Sequence, residues 1–229
     1  MTSNKLKKKF VASDLLFKTD KSLGLSQWIF HNEKWIRIKR FREWQPLISK
    51  GFVPNVVDKK QKLTKEVSFL KNGSIKFNGK TTNDYEWLIL FLDLKEYNWG
   101  NYTWKFKMRR LSNFGEFQFA FRYQSLYNRY RYRFENNRIY FEKFVKCKAF
   151  HNIDSVKFPM KLRKWYNVRI DVYESNFKCY VDGKLMMQNS DNDFKNGSIA
   201  IILWEDNGKD DIKAEVGPMT VHKLVSRKK

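Results

Sequence analysis

Cysteine is nearly missing from this chain, which has only Cys147 and Cys179 among 229 residues. Two are too few for a disulfide framework, and neither has a metal-ligand spacing. Cys179 alternates with Phe177 and Val181 and reads as a small buried hydrophobe. Histidine is as scarce: His31, His151 and His222 have no ligand spacing to one another, so no histidine centre is legible. Gly-rich phosphate loops and a serine-nucleophile elbow are absent. Four prolines and ten glycines are not the composition of a linker or a collagen, and no apolar run approaches the ~18 residues of a membrane helix. Acidic residues are outnumbered, 24 against 46 Lys and Arg, for a net charge of +22. That balance points to a negatively charged partner, whether nucleic acid, acidic glycan or anionic membrane. The plainer reading of the lysines is a solvated surface.

What the chain has in quantity is aromatic side chains, 17% of all residues, and these favour strands. Arg129 to Phe134 alternates arginine with aromatic residues. On a strand this puts Tyr130, Tyr132 and Phe134 on one face and Arg129, Arg131 and Arg133 on the other. Phe117, Phe119 and Phe121 alternate with Gln118, Ala120 and Arg122, and Tyr102, Trp104, Phe106 and Met108 alternate with Thr103, Lys105, Lys107 and Arg109. If the three segments pair as neighbours with their aromatics inward, their outer faces merge into one basic field. Further strands are read at Leu15–Phe17, Trp28–Phe30, Glu33–Trp44, Val67–Leu70, Ile75–Phe77, Trp87–Leu92, Ile139–Val145, Val168–Val172, Phe177–Val181, Lys184–Gln188, Ser198–Trp204 and Val216–Leu224. Turns fall at Asn136-Asn137 and at Asp182-Gly183, a preferred hairpin pair. A polar connection is expected between Val145 and Trp165, and a loop over 51–66. A dozen short strands without a helix mean a sandwich or barrel. The organisation expected is a basic arm over residues 1–12 and one β-sandwich over 13–229. The basic N-terminus has no apolar run behind it, which reads as no secretory signal and makes a soluble cytoplasmic protein the default expectation.

Lys164 to Val172, Phe177 to Leu185 and Phe194 to Ala200, with the earlier Phe117–Arg122 and Tyr127–Phe134, resemble the concanavalin A-like lectin/glucanase superfamily, especially its laminin-G-like and glucanase-related branches. The resemblance spans residues 65–225. It implies an all-β fold, a two-sheet antiparallel β-sandwich of jelly-roll type, in which carbohydrates commonly lie across one concave sheet. Glycosidases of that superfamily carry alternating acidic residues on a strand of that sheet, and the chemistry generally needs two carboxyl groups across the scissile bond. The matching strand here carries Arg129, Arg131 and Arg133 instead. Arginine neither donates nor abstracts a proton near neutral pH, so the pattern speaks against a glycoside hydrolase.

The reading that follows is a non-catalytic module binding a polyanionic ligand, with a glycan favoured over nucleic acid. Its expected ligand face comprises Lys105, Lys107, Arg109, Arg122, Tyr123, Tyr127, Arg129, Arg131, Arg133 and Trp204. Guanidinium forks pair with carboxylate, sulfate or phosphate, and the rings stack on sugars. The competing readings are nucleic-acid binding by the same face, docking to a protein partner, and a plain solvated sheet face. No cofactor is expected. The acidic cluster Glu205-Asp206 with Asp210-Asp211 offers oxygen ligands for a structural calcium ion, against the plainer reading of a solvated loop.

Overall fold

Alternation of apolar and polar side chains builds strands throughout, and the computed structural model places no helix among its described residues. These are residues 10–18, 27–31, 34–38, 44–50, 67–70, 72–79, 86–92, 98–125, 127–146, 148–205 and 210–226. In chain order the strands are β1 (Phe10–Lys18), β2 (Gln27–His31), β3 (Lys34–Ile38), β4 (Trp44–Lys50), β5 (Val67–Phe69), β6 (Ile75–Gly79), β7 (Glu86–Leu92), β8 (Tyr102–Arg110) and β9 (Glu116–Ser125). They continue as β10 (Asn128–Phe134), β11 (Arg138–Val145), β12 (Lys148–Lys157), β13 (Tyr166–Tyr173), β14 (Asn176–Val181), β15 (Lys184–Ser190), β16 (Ser198–Glu205) and β17 (Ile212–Ser226).

Two antiparallel sheets form a sandwich. One, the arginine sheet, has the order β12-β11-β10-β9-β16-β7-β4; the opposite sheet has the order β15-β14-β13-β8-β17-β6-β5, with β1 also on β17. β2 and β3 make a separate hairpin, and β2 lies against β4. Sequence-distant strands are thus neighbours, as in a jelly roll, and the pairing β8 with β17 and β9 with β16 closes long loops.

The inward faces meet in an aromatic core. Phe119 of β9 lies 4.3 Å from Phe106 and 5.8 Å, edge to face, from Trp104, both on β8. Phe121 packs on Tyr130, Tyr132, Phe141 and Phe177. Trp104, Phe106, Phe117, Phe119, Phe121, Tyr130, Tyr132, Val168, Ile170, Cys179, Val181, Ile199 and Ile201, the inward residues of the sequence pattern, are all buried. The phenol of Tyr130 is satisfied at the edge of the sandwich, donating to Asp191 Oδ1 at 2.5 Å and accepting from Phe194 N at 3.1 Å.

Four expectations change. β8 does not neighbour β9 and β10: it belongs to the opposite sheet, because its aromatics serve as the other half of the core rather than as an extension of one half. The connection expected before Trp165 contains β12, an edge strand on β11 whose polar residues hide its period. The segment expected as one strand over Glu33–Trp44 gives β3 and the start of β4. β1 begins at Phe10, within the stretch read as an arm, and the loop expected over 51–66 lies outside the described residues. The Asp182-Gly183 hairpin is present, with φ of 48° and 81°.

A bulge in β9 sets the geometry of one end. Between Phe121 and Ser125 the register with β10 slips, and Arg122 takes a φ of 45°. An inserted residue turns the side chains beyond it. Gly197 lies so close to this bulge that a Cβ there would stand 2.4 Å from the carbonyl carbon of Arg122, whereas a Cβ on Gly183 would meet nothing within 4 Å. Both have positive φ, so Gly197→Ala is expected to lower the melting temperature well beyond Gly183→Ala, the difference being the close approach. Phe119→Ala should cost about 3–5 kcal/mol in denaturant unfolding, and a variant as stable as the parent would contradict the core assignment.

Candidate functional site

The outer face of the arginine sheet is built by the strand period. Arg129, Arg131 and Arg133 of β10 stand opposite Phe144, Glu142 and Tyr140 of β11, and Arg131 and Arg133 stand opposite Ala120 and Gln118 of β9. Beyond β9, β16 adds Ala200, Ile202 and Trp204. The middle of this face is closed to water, since Gln118, Ala200 and Ile202 are fully buried and Arg129 and Arg131 are each 1% exposed, while Arg133, Tyr140 and Trp204 are partly exposed. The expected solvated or open basic face is corrected here, since the central strands are buried on both sides.

A guanidinium shut off from water needs partners. Arg131 has them: its Nε donates to Glu142 Oε2 at 2.6 Å, its Nη2 lies 2.6 Å from the same oxygen, and its Nη1 donates to Gln118 Oε1. Arg133 spans two carboxylates, with Nη1 2.7 Å from Glu116 and Nη2 3.0 Å from Glu142, and it also reaches Glu135. Burial works against its charge, yet Glu116 and Glu142 outweigh burial and hold its pKa above the ordinary value. Burial raises the Glu116 pKa in spite of Arg131 and Arg133. The two carboxyl groups, on β9 and β11, flank the arginine strand and were missed in the sequence. The Asn136-Asn137 turn, by fixing the hairpin register, was the signal that places Glu142 across from Arg131.

Arg129 differs. Its guanidinium stacks on Phe144, 3.8 Å from the ring centroid, while its Nε and Nη1 are buried without a hydrogen-bond partner. Burial first, and then the neighbouring Arg131, push its pKa down to about 9, which still leaves it charged at neutral pH. Among the described residues this face therefore holds one desolvated cation with unspent donors, beside an aromatic ring. Tyr123, turned to this side by the β9 bulge, interacts electrostatically with Arg129 and is itself buried. Trp204 and Tyr127 are half-buried.

The remaining expected residues lie elsewhere. Arg122 leaves the arginine face at the bulge and turns into the end of the sandwich. There it is buried, over Phe177 at 5.3 Å, and donates to the carbonyls of Phe194 (2.5 Å), Gly100 (3.3 Å) and Glu174. Three backbone acceptors give it a structural post. Lys105, Lys107 and Arg109 are on β8, on the far side of the molecule. Arg109 pairs with Glu215 at 2.8 Å and stacks on Trp165. Of the acidic cluster, Glu205 is buried and accepts from Gly115 N at 2.6 Å, Asp211 pairs with Lys213 at 2.8 Å, and Asp206 lies outside the described residues. Among the described residues no group of three or more His, Cys, Asp or Glu is placed to hold a metal ion.

No protein-family model matches the chain, and no curated protein matches it in sequence. Solved structures do match in fold. The carbohydrate-binding module CBM66 from Bacillus subtilis is 18% identical, with a TM-score of 0.52 over 66% of this chain and 96% of that one. The β-glucanase of Bacillus licheniformis is 12% identical, with a TM-score of 0.59 over 87% and 98%. A Bacillus subtilis protein of unknown function with a galectin-like fold is 8% identical, with a TM-score of 0.62 over 96% and 100%. Identities this low speak for architecture alone. With the strand order above, they show that the chain has a jelly-roll β-sandwich fold, the architecture that the sequence resemblance implies.

Proposed function

We propose that this protein is a non-catalytic carbohydrate-binding module whose arginine face receives an acidic glycan, with Arg129 reading a carboxylate. The observation that carries this reading is the buried Arg129 guanidinium, whose Nε and Nη1 have no hydrogen-bond partner. Leaving a buried charge without partners costs several kcal/mol, and an anion supplied by a ligand removes that cost. A ligand carboxylate can accept from Nε or from Nη1, the two buried N–H groups that have no partner. The fold shared with a carbohydrate-binding module supports the ligand class.

Hydrolysis is disfavoured by the same geometry. Glu116 and Glu142 are the carboxyl pair nearest in kind to a glycosidase dyad, but the Arg133 guanidinium occupies the space between them at 2.7 and 3.0 Å. A glycosidic bond has to lie there for one group to act as acid and the other as base or nucleophile. Nucleic-acid binding by this face draws no support from it, because the sequence's other cations there are already paired with Glu116 and Glu142.

Calorimetry with a hexa-uronate and its carboxyl-reduced counterpart tests the reading. Wild type should bind the uronate and not the neutral oligomer. Arg129→Met should reduce uronate affinity by about 10–100-fold, on the scale of a charge-assisted pair, while raising stability by about 1–3 kcal/mol because a buried unpaired charge is gone. Equal uronate binding by the variant would overturn the assignment. Glu142→Gln should behave oppositely in stability, losing about 3–5 kcal/mol, because it strips Arg131 of its buried counter-charge.

A further inference from the structure

Three basic residues that the arginine face does not include, Lys105 and Lys107 of β8 and Arg169 of β13, surround one hollow. On the outer face of the opposite sheet a hollow of about 450 Å³ is lined by Lys105, Lys107, Asn167, Arg169, Tyr180 and Thr220, a size within the range of small-ligand pockets. Its origin is a bulge: Gly217 and Pro218 of β17 together oppose Lys107, since the register passes from Val216–Met108 to Met219–Phe106. The extra residue opens the sheet surface beside β8.

Strand pairing concentrates charge in that hollow. Lys105 stands directly opposite Arg169, and Lys107 opposite Asn167. Both lysines are exposed, and among the described residues neither has a carboxylate within ion-pair distance. Arg169 is held flat on Tyr180, 3.7 Å from the ring centroid, with its Nε 3.4 Å from Asp171. Asp171 is shared, accepting from Thr103 Oγ1 at 2.6 Å. Asp182 is occupied by the backbone N–H and the amide of Asn167 at 2.9 and 3.1 Å. Among the described residues Arg169 is thus the one of these three cations with an acid within ion-pair distance, and that acid, Asp171, is shared with Thr103, while Asp182 is also near Lys164.

We infer that this hollow is a second binding site, for a tetrahedral oxyanion, a sulfate or phosphate ester carried by a sugar. Cations arriving from two strands around one volume, two as mobile ammonium groups and one as a braced guanidinium, can donate to several oxygens of one group at once. The Thr220 hydroxyl adds a neutral partner for a sugar hydroxyl. Single-stranded nucleic acid is the poorer fit, since base stacking needs a bare ring and Arg169 already covers a face of Tyr180. The site is independent of Arg129, on the other sheet.

The test uses the full chain and four probes: a sulfated galactan oligosaccharide free of carboxylates, its desulfated form, an oligosaccharide bearing mannose 6-phosphate, and single-stranded oligonucleotide. Wild type should bind the sulfated or the phosphorylated sugar and not the desulfated one, the stronger of the two naming the source of the oxyanion. Lys105→Gln/Lys107→Gln, an exposed pair whose replacement leaves packing intact, should weaken that binding by about ten-fold or more and flatten its salt dependence. Arg129→Met should leave it unchanged, and the Lys pair should leave uronate binding unchanged. The inference is overturned if the double variant binds the ester as wild type does, if neither ester is bound, if Arg129→Met abolishes ester binding, or if oligonucleotide binds more tightly than both esters and depends on the same lysines.

Discussion

Everything on the arginine face depends on keeping charges balanced where water does not reach. Arg131 can be buried and Arg133 largely so because Glu116, Gln118 and Glu142 rise beside them from the two flanking strands. Such a lattice is weak evidence for stability, because desolvation offsets most of the attraction. It is strong as a register lock: slipping β10 by one residue against β11 would set tyrosine rings against Glu142 and drive arginines into the aromatic core. The ionic layer and the aromatic layer on the other side of the same strands therefore specify one alignment between them. With that alignment fixed, Arg129 is the position at which the supply of carboxylates ends, and its exceptional state follows from the pairing of its neighbours.

The fold was legible to the extent that it follows from period two. Each strand with clean alternation, such as Trp104-Lys105-Phe106-Lys107 or Val168-Arg169-Ile170-Asp171, has its apolar side in the core, and the Asp182-Gly183 turn lies where its residues ask for positive φ. Alternation says which way a side chain points, not which sheet it points from. Lys105 and Arg131 carry the same local pattern, yet their outward directions are opposite, because β8 and β9 face each other across the core instead of lying side by side. Only long-range pairing decides this, and a single period cannot encode it. The residues of β12 escaped notice for a different reason: an edge strand with two register irregularities needs no strict alternation.

The site was legible in its residue types and less so in its composition. The arginine triplet marks the face, but what it does depends on Glu116 and Glu142, which come from other strands and turn two of the three arginines into paired groups. Arg122 continues the alternation of β9 on paper. A backbone bulge, permitted by the absence of a side chain at Gly197, removes it from the face and brings Tyr123 there in its place. A one-residue insertion in register is invisible to pattern counting, although its consequence for a binding face is to exchange a cation for a phenol.

The two candidate sites also differ in how a ligand would be discriminated. At Arg129 the charge is desolvated, so an anion gains most from the absence of competing water, and a neutral analogue would leave the donors unmet. At Lys105 and Lys107 the charges are hydrated and screened within about 10 Å at ordinary ionic strength, so recognition there rests on several cations acting together and on Arg169 being braced by Tyr180. The first arrangement favours selectivity from a single contact; the second favours capture of a densely charged chain. Jelly-roll sandwiches present two broad faces, and among the described residues this one has a cation with two unmet donors within one and a lysine pair without an acid in ion-pair reach upon the other. Those two departures from charge balance, more than the net charge of +22, mark where an anionic ligand has something to supply that the protein itself does not.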